Sequence, residues 1–526
     1  MKKAEKTDVD VAILGGGLAG NLLARQLTRA TPGLRIGLYE KSRETSWKVG
    51  ESVVEIGSHY LVKRLGLSRY LYDRHFPKNG LRYFFDDENR SLPLWEMSEI
   101  GPVNLPFHPS FQIDRLRLES DLLEMNARAG VQVELGVKAR PVAMGTGGAA
   151  HVFELSGAGG TRRVATRWLV DAAGRADLVA RALGLRLRED THRLGSVWGR
   201  FEGVADVDDL GPEPWRARVR HSSRFLSTIH FFYPGYWIWF IPLHDGVTSV
   251  GVTGKTGFDE RSLRTSDGLR RFLDGHAAVA HLLRDAKALD LGSYTQIAYS
   301  IERYFSPDRW GLTGEAATSA DPLYSPGTDF IAHENDFLSE LIRRDFAGED
   351  ATELAQRTDL YDRFMAFRQE ATLSLYRNLY ETFGSFELGK LKWDFDIGCY
   401  YNLWVSPYVR DEHLDPRWLR RQLRMSPLIL RALANFNELF RKVADSLQRR
   451  GEFYRRNRGE FTPGLNHLDF LERVGMPRPR REVLEKTEQI FNDVRRRALR
   501  MLGPDARHAP DEELSLTALL SADSLD

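Results

Sequence analysis

The chain has 526 residues and a formal net charge of +1, from 74 basic and 73 acidic side chains. That balance gives no electrostatic drive toward nucleic acid or an anionic membrane, and a single cysteine, Cys399, excludes a disulfide framework, a Cys-ligated zinc or an iron–sulfur cluster within one chain. The length predicts two or three packed units, and no apolar run reaches the roughly 20 residues of a transmembrane span, so a soluble protein in a reducing cytoplasm is expected.

In chain order, "VDVAILGGGLAGNLLARQLTRA" reads as a buried strand from Val9 to Leu14, a glycine turn and a helix from Leu18 to about Ala30. Asp8 and Asp10 flank the apolar run and no cleavage site follows it, unlike a signal peptide. "LRIGLYEK" supplies the next strand and completes a βαβ unit. Gly15, Gly17 and Gly20 have the G-x-G-x-x-G spacing. The first permits the tight turn, the second lets a pyrophosphate approach the backbone, and the third lets helix and sheet pack closely. The phosphate then meets the unpaired amides of a helix N-terminus. Glu40 ends the second strand, where an acid binds ribose hydroxyls. No second fingerprint is present: "GTGGAA" (Gly145 to Ala150) leads into a strand and reads as a hairpin turn.

Strands follow in "VQVELGVKAR" and "HVFELSG", then a strand, glycine turn and helix in "RWLVDAAGRADLVARALGL". From about 196 to 256, "FLSTIHFF", "YWIWFIPL" and "VTSVGVTG" read as an antiparallel meander separated by "YPG" and "HDG". In its middle strand, alternation sends Trp237, Trp239 and Ile241 to one face and Tyr236, Ile238 and Phe240 to the other. Both faces are apolar, so burial on both sides is expected.

Beyond about residue 331 the pattern turns helical. Phe364, Phe367, Ala371, Leu375 and Leu379 form one apolar stripe, and Ile429, Leu433, Phe436 and Phe440 another. The aromatic segment "KWDFDIGCYYNLWVSPYV" reads as helix–helix packing, with the lining of a pocket as the alternative. The arginine clusters "QRRGEFYRRNRG" and "RPRREV" read as solvated helix faces, with a dock for an acidic carrier protein as the alternative. No metal-spaced His/Asp cluster stands out, and the tail after Gly503 is polar and expected to fray.

Four segments, in order, carry a resemblance. They are "WKVGESVVEIG", the Asp114-Arg115 pair ahead of a helix, "LVDAAGRAD", and "WGLTGEAATSADPLYSPG". Together with the βαβ unit they resemble the flavoprotein monooxygenases of the para-hydroxybenzoate hydroxylase fold, over roughly residues 8 to 330. The resemblance implies FAD, held by Gly15, Gly17, Gly20, Glu40, Lys48, Gly50, Glu51, Ser52, Arg115, Asp171, Gly174, Gly314 and Glu315. Glu315 stands where that family usually has Asp against the ribityl chain. The implied architecture is α/β plus helical. Residues 1–195 form a Rossmann-like FAD-binding core with inserted substrate-side segments, 196–330 an antiparallel-sheet middle domain that returns to it, 331–503 an α-helical substrate domain, and 504–526 a polar tail.

One branch of that family carries W-x-W-x-I-P, complete here as Trp237, Trp239, Ile241 and Pro242. The branch is the flavin-dependent halogenases. Lys78, ahead of a strand in "HFPKNGLRYFF", resembles their active-site lysine. The implied reaction uses reduced FAD from a separate reductase, O2 and halide to make hypohalous acid. That species travels to the lysine and halogenates a small electron-rich aromatic, free or carrier-tethered. The two indoles keep organic substrate away from the flavin. An ammonium can polarise hypohalous acid, and a neutral amine can form a haloamine. Read without the family, Lys78 is a solvated side chain in a Pro-Lys-Asn-Gly turn.

The segment "DPLYSPG" departs from the Pro-Leu-Glu-Ser-Thr-Gly of tryptophan halogenases. Tyr324 takes the place of their glutamate, and Pro326, with no N–H to give, that of the threonine whose amide helps hold halide. Halide is then expected at the amides of Gly327 and Thr328, beside Ser325, or in another pocket. Asp329 either replaces the missing acid or caps the following helix. A phenol, pyrrole or indole-type ring other than free tryptophan is the expected substrate. The alternatives are a single-component FAD hydroxylase or epoxidase on the same fold, and a flavin-binding protein without turnover.

Overall fold

The computed structural model describes residues 7–255, 260–464 and 473–508. Its first sheet is built on the buried strand Val9–Leu14, which pairs in parallel with Ile36–Glu40 on one side and Gly160–Asp171 on the other. Gln132–Leu135 and Trp310–Leu312 extend this parallel core at its two edges. The helix Leu18–Ala30 makes the first crossover and buries Leu22, Leu23 and Leu27. Its start is fixed by steric need. Gly15 has φ +113°, and a Cβ there would sit 2.3 Å from the Ala172 carbonyl oxygen. A Cβ on Gly20 would sit 2.0 Å from the Gly15 oxygen, so turn, strand and helix touch through backbone.

The stretch expected as one strand, "VQVELGVKAR", divides into Gln132–Leu135 and Lys138–Ala143. Gly136, at φ +75°, turns the chain between them. Lys138–Ala143 then pairs antiparallel with His151–Gly157, so "GTGGAA" is the hairpin connection.

The second sheet contains the meander and more. Leu194–Glu202, Val247–Lys255, Tyr236–Pro242 and Thr228–Tyr233 are successive antiparallel neighbours. Thr228–Tyr233 next pairs in parallel with Leu81–Phe85, the strand that follows Lys78. Ser98–Ile100 and Phe461–Thr462 complete that edge. The alternation in the tryptophan strand is realised. Trp237, Trp239 and Ile241 join the large core shared with the FAD-side sheet and the helices, while Ile238 and Phe240 join a separate core on the opposite face, with Tyr236 packed against it. Gly251 lies opposite both Trp239 and Trp198 in the ladder. It leaves the space these indoles need.

The helical part consists mainly of Gly327–Phe346, Ala351–Ser374, Phe386–Cys399, Pro416–Arg449 and Arg480–Leu502. The stripe expected to run from Phe364 to Leu379 starts on an earlier helix turn and ends at Ser374; Leu375 and Leu379 are buried in the turns that follow. Asp336, on the first of these helices, ties them to the FAD side. It accepts from Gln26 Nε2 (2.7 Å), Tyr408 Oη (2.9 Å), His413 Nε2 (2.9 Å) and Arg64 Nε (3.3 Å). The tail expected to fray after Gly503 is structured at its start. Gly503–His508 is a 3₁₀ turn in which Asp505 accepts from Ser446 and Arg449, and residues 509–526 lie outside the described residues. Among the described residues no helix is long and apolar enough to cross a membrane.

Candidate active site: two cavities and a buried lysine

A cavity of about 580 Å³ opens at the C-terminal ends of the parallel strands. Gly17, Glu40, Lys48, Gly50, Glu51, Ser52, Arg115, Gly174, Gly314 and Glu315 all line it. Its floor has the character of a nucleotide cradle. Gly17 precedes the first helix turn, supplies no side-chain cap, and would present a Cβ to open space, 4.0 Å from Lys48 Nζ. The helix amides are therefore left for an incoming anion. Glu40 holds the glycine turn, accepting from the Gly16 amide at 2.8 Å and the Ser42 amide at 2.9 Å. Arg115 donates to the Val49 carbonyl and, with Lys48, to the buried Glu119, which fixes both cations at the rim. Glu51 is buried against Arg200 at 2.7 Å, and burial raises its pKa. Glu315 meets Arg175 at 3.3 Å. These residues fit FAD.

Three of the expected FAD residues do not line the cavity. Gly15 and Gly20 act through the close packing described above. Asp171 is fully buried and accepts from the Ala173 and Val179 amides, at 2.9 and 2.7 Å. It shapes the turn that carries Gly174.

Trp237, Trp239 and Ile241 line the same larger cavity; Pro242 is a buried ladder residue opposite Thr248. The indoles are pinned by their N–H groups. Trp239 Nε1 donates to Ser249 Oγ at 3.3 Å. Trp237 Nε1 donates to Tyr380 Oη at 3.0 Å, and Tyr380 in turn donates to Asp321 Oδ2, which His192 also contacts at 2.8 Å.

A second cavity, of about 190 Å³, lies on the helical side. Lys78, Tyr324, Asp329, Trp393, Tyr400 and Trp404 are among its walls, and Pro326 lines both cavities. A small sheet brings the machinery together: Phe111–Gln112 pairs with Ser52–Val53 on one side and Phe76–Pro77 on the other. Lys78 is consequently only 2% exposed, which overturns the reading of it as a solvated turn lysine. Its Nζ donates to Ser52 Oγ at 2.7 Å, and Ser52 is also bonded to Thr228 and Ser325. Burial pulls the lysine pKa from 10.5 to about 8, against the opposing pull of Glu55 and Asp329. Ser52 and Ser325 face the larger cavity, Lys78 the smaller, so one hydrogen bond spans the division between them.

Gly327 and Thr328 line the larger cavity and open the helix Gly327–Phe346, where backbone amides have no helical acceptor. Asp329 does not cap its own helix. It accepts from the Gly57 amide at 2.8 Å and Tyr400 Oη at 2.9 Å, and burial raises its pKa to about 7. Tyr324 donates to Asp396, which Lys392 holds at 2.6 Å. The aromatic segment splits by role: Phe395 packs on Phe436 and Phe491, while Trp393, Tyr400, Tyr401 and Trp404 face the smaller cavity. The last three sit in the wide turn Tyr400–Val405, a π-helical segment of the kind that often marks a functional site.

Sequence reasoning missed Glu55, Arg368 and Asp396, all on this cavity. A signal existed for two of them. Arg368 falls on the apolar stripe four residues after Phe364, and Lys392 and Asp396 have the i,i+4 spacing of a helical ion pair.

An FAD binding domain family model matches residues 8–219. "Flavin-dependent halogenase chlA" of Dictyostelium discoideum is 26% identical over 439 residues, covering 77% of this chain and 72% of that protein. A 1H-pyrrole-2-carbonyl-[peptidyl-carrier protein] chlorinase of Pseudomonas fluorescens is 24% identical, over 66% of this chain and 79% of that one. Among solved structures, halogenase PltM matches with TM-score 0.65 at 17% identity, over 93% of this chain and 99% of its own, and the halogenase CmlS with 0.57 at 21% identity, over 74% and 65%. With an FAD cradle, the complete W-x-W-x-I-P strand and these relatives, the chain carries an FAD binding domain and is similar to the flavin-dependent halogenases.

Proposed function

We propose that the protein halogenates a small electron-rich aromatic held in the smaller cavity, with Lys78 as the catalytic residue that delivers the halogen. The carrying observation is the Lys78–Ser52 bond, because it joins a buried, reactive amine to the wall of the FAD cavity. FAD, once reduced by a separate reductase, supplies with O2 the oxidising equivalent that converts halide to hypohalous acid. The amides of Gly327 and Thr328, with Ser325 beside them, are the proposed halide contacts. Trp237 and Trp239 wall the FAD cavity and keep the aromatic out of it. Lys78, as ammonium, donates to the oxygen of hypohalous acid and makes the halogen more electrophilic. Asp329 takes the ring proton lost after attack. The carrier-bound substrate of the pyrrole chlorinase, and the phloroglucinol bound in one PltM structure, support a compact activated ring as substrate.

The test supplies protein, FAD, a flavin reductase, NADH, O2 and bromide or chloride with a panel of phenols, pyrroles and indoles, read by mass spectrometry. A halogen isotope pattern is expected, reduced about 100-fold or more in Lys78→Ala, the scale of a positioned acid–base group. Unchanged halogenation in Lys78→Ala would overturn the lysine assignment. NAD(P)H consumption by the protein without the reductase would instead support a single-component hydroxylase.

A further inference from the structure

Arg368 is a buried cation that makes no ion pair among the described residues. It lies on the helix Ala351–Ser374, is 3% exposed, and lines the smaller cavity. Its guanidinium stacks over Trp404, 4.3 Å from the ring centroid, and over Phe330 at 5.4 Å. Of five N–H donors, one hydrogen bond is made, from Nη1 to Thr372 Oγ1, and Nε is buried without an acceptor. Asp329 pulls on it through charge, but the carboxylates of the cavity accept their hydrogen bonds elsewhere. Glu55 accepts from Tyr401, Asp329 from Gly57 and Tyr400, and Asp396 from Lys392 and Tyr324. Among the described residues none forms an ion pair with Arg368. A desolvated guanidinium with free donors beside an apolar cavity calls for an anionic oxygen from the occupant.

Chemistry narrows that oxygen. A ring carboxylate withdraws electrons and slows electrophilic attack, whereas an oxyanion bonded directly to the ring accelerates it. We propose that Arg368 is a positioning residue that receives the phenolic oxygen of the substrate and holds it as phenolate, an inference that rests on the halogenase reading of this cavity. On binding, the phenol O–H bond breaks, the proton passes to the buffer, and the oxygen keeps the electron pair and accepts from Arg368. A neighbouring cation favours this ionisation. The ring is then activated without the glutamate that Tyr324 replaces.

The experiment uses FAD-loaded protein and the chromogenic probe 4-nitrophenol, with 4-nitroanisole as the uncharged analogue and benzoate as the carboxylate. Difference spectra are recorded below the probe's own ionisation midpoint. Wild type is expected to show the phenolate band for bound probe and to bind it about tenfold or more tighter than 4-nitroanisole or benzoate. Arg368→Met should lose the band and that preference while still binding 4-nitroanisole. Arg368→Lys should restore part of the band, and this variant, with the wild-type comparison, decides the matter if the Met variant folds poorly. A neutral-phenol spectrum in wild type, equal affinity for the anisole, or tighter benzoate would overturn the proposal. The readout needs no reductant, O2 or halide, so a failure of halogenation leaves it standing, and a halogenating enzyme that binds neutral phenol removes Arg368 alone.

Discussion

Lys78 carries a cost that its proposed chemistry explains. A lysine held at about 8 instead of 10.5 is protonated at pH 7 in a site that disfavours the charge. The unfolded chain then binds more protons than the native one between those two values, so stability rises with pH through that window. Below about pH 8 the full penalty applies, on the order of 3 kcal/mol. Lys78→Met is therefore expected to raise Tm at pH 7 while abolishing halogenation, and its stabilisation should shrink as pH rises toward 10. Equal Tm values at pH 7 would show that the lysine sits there without strain. The rate profile separates the two chemical roles. If the ammonium acts and Asp329, at about 7, is the base, kcat/KM is bell-shaped, rising through about 7 and falling through about 8. Asp329→Asn should remove the rising limb. A rate that climbs through 8 would assign the work to the neutral amine.

At the level of elements, what the sequence makes readable is what local sterics decide. Gly15 and Gly20 sit where any Cβ would strike backbone, so their spacing alone marks the turn. The tryptophan strand declares its two faces by alternation because each face meets a different core. Long-range pairing leaves no such mark. Leu81–Phe85 reads as a strand, but nothing local says that it lies parallel to Thr228–Tyr233 and thereby brings Lys78 and Thr228 to the same Ser52 hydroxyl. Arg368 is only half legible: its place on the apolar stripe marks it for burial, but what it faces is decided by what lies opposite it. Gly251 tests the sheet directly. A Cβ there would lie 2.3 Å from Trp239 Cζ2 and 2.5 Å from Trp198 Cβ. Gly251→Ala is expected to cost about 1–3 kcal/mol by overpacking and to weaken FAD binding, because the displaced indoles line that cavity. Thermal unfolding and flavin titration check both; a shift in stability with unchanged FAD affinity would separate the indoles from the cofactor site.

Across the whole molecule, the two cavities work together only if the helical part is held in register with the FAD side, and Asp336 is a principal clamp. Its partners come from both sides of the boundary: Gln26 and Arg64 from the N-terminal part, Tyr408 and His413 from the helices. These donors and charges outweigh burial and hold its pKa near 2, below the ordinary 3.8. A carboxylate depressed in this way stabilises the fold fully above about pH 4 and loses that contribution as pH falls toward 2, by roughly 2–3 kcal/mol. Asp336→Asn keeps the shape and removes the charge, so at pH 7 it should cost about 3–5 kcal/mol by breaking a buried charged network. The difference in Tm between wild type and variant should narrow steadily from pH 5 to pH 2. The variant should also lose affinity for aromatic ligands more than for FAD, because the smaller cavity takes Arg368, Trp393, Tyr400 and Trp404 from the helical elements beyond Phe346, whereas the larger one takes its helical residues after Pro326 only from the first turns of Gly327–Phe346. A Tm gap that stays constant with pH would mean the aspartate acts by packing alone, and equal losses for both ligands would mean that it supports the fold as a whole instead of the register between its parts.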